Sequence, residues 1–426
     1  MPRITRELRE ATLRPTDRDT ARRSDDFRSP GQSPFPQAPD IRDTGRDPMT
    51  TLRTLLQRHV DEGTVPGAVA LVARGDRTEV QAVGAAGLGS GAPMGRDTIF
   101  RIASITKPIT AAAVLMLVED GRIGLDDPVA PWLPELEKPQ VVRTPDAPVD
   151  DTVPALRPIT VRHLLDFTAG YGFSSDFSKP ALAPLFTELK QGPPRPQEIP
   201  APDAWMAALG RIPLLHQPGE AWLYNTCSEL QGVLIARLTG QSLADVLAER
   251  IFAPLGMKDT GFVVPAADLG RFTSYYRNGP EGGLELVDAP EGQWSTEPAF
   301  LSGAGGLVST VDDWHAVARM LLADGAGLLA PDSVRAMLTD QLTEAQRAGS
   351  DLFLEGQGWG YGGAVDLDTT HPWSIPGRYG WIGGTGTSAH LVPATGTVGI
   401  LLTQVELGGP TPPALMREFW QLMKES

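Results

Sequence analysis

The sequence predicts an α/β + α fold: an antiparallel sheet flanked by N- and C-terminal helices, with an inserted, mostly helical lobe. Three observations carry this reading. Paired apolar runs with turn residues between them lie near both ends of the chain. Amphipathic helical segments lie outside those pairs, and the long stretch from about 126 to 299 has helical rather than alternating periodicity.

Taken in order, residues 1–48 stand apart. Ten Arg against nine Asp and Glu, with the Pro-laced stretch Ser29–Pro39, leave no periodic apolar face. Such a segment cannot repay its ordering entropy, so a disordered tail is expected, and Met49 is a candidate natural start. Leu52, Leu55, Leu56 and Val60 then share one helical face. Gly67–Ala73 and Thr78–Val83, joined through Arg74-Gly75-Asp76, read as a β-hairpin. Near the other end, Ser388–Val392, a turn at Pro393–Gly396 and Thr397–Thr403 read as a second hairpin, followed by an amphipathic helix over about 413–424. The expected division is a sheet lobe at about 49–125 and 300–426, with a helical lobe at about 126–299 between. Two Pro-rich stretches, Glu137–Pro158 and Gln191–Pro202, are expected as long surface loops.

Composition narrows the function. The 426 residues carry a net charge of −15, which offers no basic stripe for a nucleic acid or an anionic membrane surface. No apolar run reaches the roughly 18 residues of a membrane span, and the first residues lack the apolar core of a secretory signal. With a single cysteine, Cys227, the expectation is a cytoplasmic protein without disulfides. There is no G-x-S-x-G, H-E-x-x-H, P-loop or cysteine cluster, so neither a metal nor another cofactor is implied. The histidines are scattered; His163 and His315 read as structural, and His390, on a late strand, is likewise not expected in the site.

The chemical signal is Ser104-Ile105-Thr106-Lys107 at the start of an apolar helical run. Residues i and i+3 share a helical face, so the Lys107 amine can reach the Ser104 hydroxyl. The positive end of a helix favours a neutral lysine and a developing oxyanion. Pro108 is tolerated because the first helical turn needs no intrahelical N–H partner. These are the requirements of an activated serine nucleophile.

The surrounding blocks resemble one family. Thr98-Ile-Phe-Arg-Ile-Ala-Ser-Ile-Thr-Lys-Pro, followed by Glu119-Asp-Gly-Arg-Ile-Gly-Leu-Asp-Asp-Pro, resembles the first motif region of class C β-lactamases and DD-peptidases. It is also similar to the β-lactamase-like carboxylesterases of family VIII. Ile159–Gly170, Pro218–Cys227, Gly303–Asp313 and Tyr379–Thr387 resemble further family blocks in the expected order, over about residues 52–424. The resemblance implies the β-lactamase/transpeptidase-like fold and an acyl-enzyme on Ser104. It puts Tyr224 at the family's proton-shuttling tyrosine and the N–H groups of Ser104 and Gly384 at the oxyanion hole.

The sequence departs from the family at two places. Thr226 stands where a side-chain amide is frequent, two residues after the tyrosine. Trp381, Ile382 and Gly383 stand where β-lactamases and DD-peptidases carry Lys or His, Thr and Gly. Thr226, Trp381 and Gly383 are therefore expected as substrate-pocket residues, with no cation at 381 to hold a substrate carboxylate. The leading expectation is a carboxylic ester hydrolase, with acyl transfer possible, acting on a small-molecule ester or amide. A β-lactamase or D-amino-acid peptidase is the first alternative; a catalytically inactive binding protein of the same fold is the second.

Overall fold

The computed structural model describes residues 51–425; the expected tail and the candidate start at Met49 lie outside them. The backbone of the fold is a seven-stranded sheet built from β1 (Gly67–Arg74), β2 (Arg77–Gly84), β3 (Gly358–Trp359), β4 (Ala364–Val365), β5 (Tyr379–Gly383), β6 (Thr387–Val392) and β7 (Thr397–Leu402). Their spatial order is β2-β1-β7-β6-β5-β4-β3, and every neighbouring pair is antiparallel. The N-terminal hairpin thus pairs with the C-terminal one, Val69 opposite Leu402 and Arg74 opposite Thr397. This is the sheet of both termini that the sequence predicts.

Side-chain alternation divides the core. Val69, Leu71 and Ala73 point to one face, where they join Ala389, Leu391, Val398 and Ile400. Ala68, Ala70 and Val72 point to the other, against α1 (Leu52–Asp61) and a C-terminal helix, Ala414–Glu425. Helix α1 begins at Thr51, whose side chain accepts the Thr54 N–H at 3.2 Å. It buries Leu52, Leu55, Leu56 and His59, whereas Val60 is only half-buried. Each such leucine contributes about 1.5–3 kcal/mol by leaving water. Strands β6 and β7 are covered on both faces, so they are buried throughout and read as apolar runs rather than as alternation.

On the first face lie α2 (Lys107–Glu119) and further helices, and between β2 and β3 the chain makes its helical excursion, centred on α3 (Thr226–Thr239). Two expectations are corrected here. Glu137–Pro158 is not plain loop, because Gln140–Val142 pairs with Thr152–Pro154 and buries Val141 and Val142. Tyr275–Asn278 and Leu284–Asp288 form a further hairpin within the stretch read as helical. These strands are three to five residues long, too short for a period-2 pattern to register. Among the described residues, no helix is long and apolar enough to cross a membrane.

Candidate active site

Ser104 lies where strand Phe100–Arg101 ends and a short 3-10 turn, Ala103–Thr106, leads into α2. The backbone reaches it through Ala103 at φ +43°, a left-handed conformation costing an alanine on the order of 1–3 kcal/mol. The helical start expected at Ser104 is therefore one tight turn earlier than the α-helix, and Pro108 falls in the first turn of α2. The turn leaves the Ser104 hydroxyl facing a cavity of about 310 Å³ that Tyr224, Trp381 and Gly384 also line.

Lys107 is fully buried, and its Nζ meets Ser104 Oγ at 2.9 Å, Asn225 Oδ1 at 3.0 Å and the Ala304 carbonyl at 2.8 Å. Burial lowers its pKa to about 7, partly opposed by the negative charge of Glu229. A neutral amine has two N–H groups and one lone pair. The two carbonyl oxygens can only accept, so they take the N–H groups, and the lone pair is left for the Ser104 O–H. In the neutral amine the geometry therefore leaves the lone pair facing the Ser104 hydroxyl.

Tyr224 stands over the same amine, with Lys107 Nζ 4.7 Å from its ring centre. Its hydroxyl is hydrogen-bonded to Ser104 and accepts the indole N–H of Trp381 at 2.7 Å. Burial raises the phenol to about 12, against the lowering effect of those two hydrogen bonds, so it holds its proton at neutral pH. Trp381 was expected as a pocket wall. It lines the cavity, and its polar edge also takes a place on the phenol oxygen.

The structure puts two expected pocket residues elsewhere. Thr226 is buried outside the cavity lining, where its Oγ1 donates to Gln191 Oε1 at 2.8 Å. The amide expected to be missing is supplied by Asn225. That residue sits at φ +82°, ψ −63°, and the Thr226 N–H closes back on the Tyr224 carbonyl at 3.2 Å. This is a γ-turn of the rare positive-φ kind, and it brings the side-chain amide to Lys107 one residue early. Asn225 Nδ2 in turn donates to Gln191 Oε1 at 3.2 Å, which fixes the orientation of both amides.

Gly383 is likewise absent from the lining, where Ile382 appears instead. A Cβ at Gly383 would meet Thr387 Oγ1 at 2.1 Å and the Ile102 carbonyl at 2.5 Å. Glycine is needed there so that β5 can pack against the chain leading into Ser104.

The remaining walls are aromatic and proline-rich. Phe173, Phe177, Phe186 and Phe353 border the cavity, and Phe353 stacks on Tyr224 with ring centres 4.9 Å apart. Gln191, Gly192, Pro193, Pro194, Arg195 and Pro196 complete it, so the stretch expected as a surface loop is a wall of the site. Arg378, the cation nearest Trp381 in sequence, does not face the cavity; it is buried against Asp366 at 2.9 Å and over Trp420. His390 is buried beside Ser388 and Trp420, away from the site, and the buried Cys227 thiol is pushed up by burial. Among the described residues, no group of three or more His, Cys, Asp or Glu is arranged to hold a metal ion.

Sequence reasoning missed Asn225, Gln191, Glu229 and Ala304. Glu229 had a visible signal, being a lone acid in the otherwise uncharged run Thr226–Ala236. Asn225 had none, because the motif's spacing assumes an ordinary turn after the tyrosine.

A Ser-Lys-Tyr constellation around a buried lysine, between an antiparallel sheet and a helical lobe, defines a β-lactamase-like serine hydrolase. A model of the family described as "Beta-lactamase" matches residues 52–417, and the chain belongs to that family. It is 36% identical over 359 residues to an uncharacterized protein of Mycobacterium tuberculosis, covering 81% of this chain and 87% of that one. It is 34% identical over 384 residues to esterase EstB of Burkholderia gladioli, covering 85% and 92%. Among solved structures it is similar to EstCE1, described as a hydrolase with promiscuous acyltransferase activity. There the TM-score is 0.72 at 25% identity, over 86% of this chain and 96% of that one.

Proposed function

We propose that the protein is a carboxylic ester hydrolase, able to pass its acyl group to an alcohol, with Ser104 as nucleophile, Lys107 as base and Tyr224 as proton donor. The observation that carries this reading is the Lys107 amine, whose three neighbours leave its lone pair for Ser104. The esterase EstB and the hydrolase–acyltransferase EstCE1 support it as relatives.

In the first half-reaction Lys107 takes the Ser104 proton as Oγ attacks the ester carbonyl. The N–H groups of Ser104 and Gly384 receive the oxyanion. Tyr224 gives its proton to the departing alkoxide, and the phenolate is held by the Trp381 N–H and the Lys107 ammonium. An incoming water or alcohol then delivers its proton to Tyr224 as it attacks the acyl-enzyme. Collapse returns the Lys107 proton to Ser104 Oγ, which restores the starting state.

Esters are favoured over β-lactams because the strand edge beside Ser104 carries Trp381 rather than a cation. The cavity cations, Lys190 and Arg195, stand on the proline-rich loop instead. Since Asn225 keeps an amide in the site, the discrimination rests on one polar contact, worth about 1–2 kcal/mol or roughly tenfold in rate. The test is kcat/KM on p-nitrophenyl butyrate against nitrocefin. A ratio of about ten or more in favour of the ester is expected, and parity or preference for nitrocefin contradicts the reading. A cytoplasmic location, which the lone buried Cys227 fits, belongs to the same proposal and is checked by cell fractionation.

A further inference from the structure

Glu229 projects from the buried face of α3 into the polar end of the cavity. Its Oε1 accepts the Ser302 hydroxyl at 2.7 Å and its Oε2 the Ala304 N–H at 3.3 Å. Ser302 Oγ in turn accepts the Gly305 N–H at 3.0 Å, and Thr110 on α2 donates to the Gly303 carbonyl at 2.8 Å. The carboxyl therefore clamps the 302–305 turn, and the Ala304 carbonyl of that turn is one of the two acceptors that orient the Lys107 amine.

A buried carboxyl is costly unless its charge or its hydrogen bonds are used. Here both are directed at one amine, through the turn and through space. On the reading that Lys107 is the base, we infer that Glu229 is a positioning residue that orients the Lys107 amine through the 302–305 turn and sustains its positive charge once it has taken the serine proton.

The consequence is legible in the pH profile. Lys107 must be neutral to accept the Ser104 proton, so kcat/KM should rise with pH through about 7. Burial lowers the lysine and raises Glu229, while each charge favours the other. The other titratable groups facing this pair are Tyr224, and across the cavity Tyr275, Glu406, Lys190 and Arg195. None of these makes a hydrogen bond to the Glu229 carboxyl or to the 302–305 turn.

Glu229→Gln removes the negative charge, so Lys107 should lose its proton more readily. The rising limb should move to lower pH by about one unit, within the range for loss of a neighbouring charge, and the plateau kcat should fall roughly tenfold or more. Glu229→Asp, which keeps the charge, should return the limb toward its wild-type pH. If Glu229→Gln does not fold, Ser302→Ala serves in its place. Without the hydroxyl, Glu229 holds its proton more tightly, so the limb should move in the same direction by less. A folded Glu229→Gln or Ser302→Ala protein whose limb coincides with wild type overturns the inference. Labelling by a fluorophosphonate probe is followed in parallel. Labelling retained at Ser104 with an unmoved limb overturns the Glu229 assignment alone, and its absence from wild-type Ser104 overturns the underlying reading as well.

Discussion

An indole stands at the place where a cation was expected of β-lactamases and DD-peptidases. Trp381 Nε1 donates to Tyr224 Oη at 2.7 Å, and its ring packs edge-on to Trp359 with centres 4.9 Å apart. An N–H can stabilise a phenolate without adding a charge that would attract a substrate carboxylate. Trp381→Phe keeps the ring and removes this one donor. We expect kcat to fall by about ten- to a hundredfold with KM little changed, since the hydrogen bond matters most when the phenol loses its proton. Tyr224→Phe should cost more, and the double variant should be no worse than Tyr224→Phe alone, because the indole then has no oxygen to serve. Additive losses would show that Trp381 acts only as a wall.

At the scale of the element, the γ-turn over Tyr224–Thr226 does what a longer motif does by spacing. It holds a non-glycine residue at φ +82°, a strain on the order of 1–3 kcal/mol. The strain is offset by Asn225 bonds to Lys107 and Gln191. Asn225→Gly separates the two effects, since glycine takes this backbone without a Cβ penalty. Tm should stay within a few degrees of wild type or rise, while kcat/KM should fall by about ten- to a hundredfold as the amine loses an acceptor. Unchanged kcat/KM would mean that Asn225 is there for the turn alone. This turn also explains why Thr226 was misread from sequence. Motif spacing assumes the usual backbone, and nothing in Tyr-Asn-Thr signals a compressed one. Ser104, Lys107, Tyr224 and Trp381 were legible, the first two because i, i+3 geometry on a helical start needs no distant contact to interpret.

Over the whole molecule, the two-ended sheet was legible because both hairpins have full-length strands with turn residues between them. Strands β3 and β4 were not, since two residues cannot show a period. The walls of the cavity were also hidden. Phe353 is far in sequence from Phe173, Phe186 and the 191–196 loop and joins them only in the tertiary structure, so the proline-rich stretch read as solvent-exposed chain. What assembles these parts is the packing of the helical lobe and the sheet around one buried lysine, and every role assigned above depends on the serine beside it. The most direct test is intact-mass and peptide-mapping analysis after reaction with a fluorophosphonate. One adduct is expected, on the peptide containing Ser104, lost in Ser104→Ala together with esterase activity. An adduct on another residue, such as Ser388 or Ser90, or turnover that survives in Ser104→Ala, would contradict it.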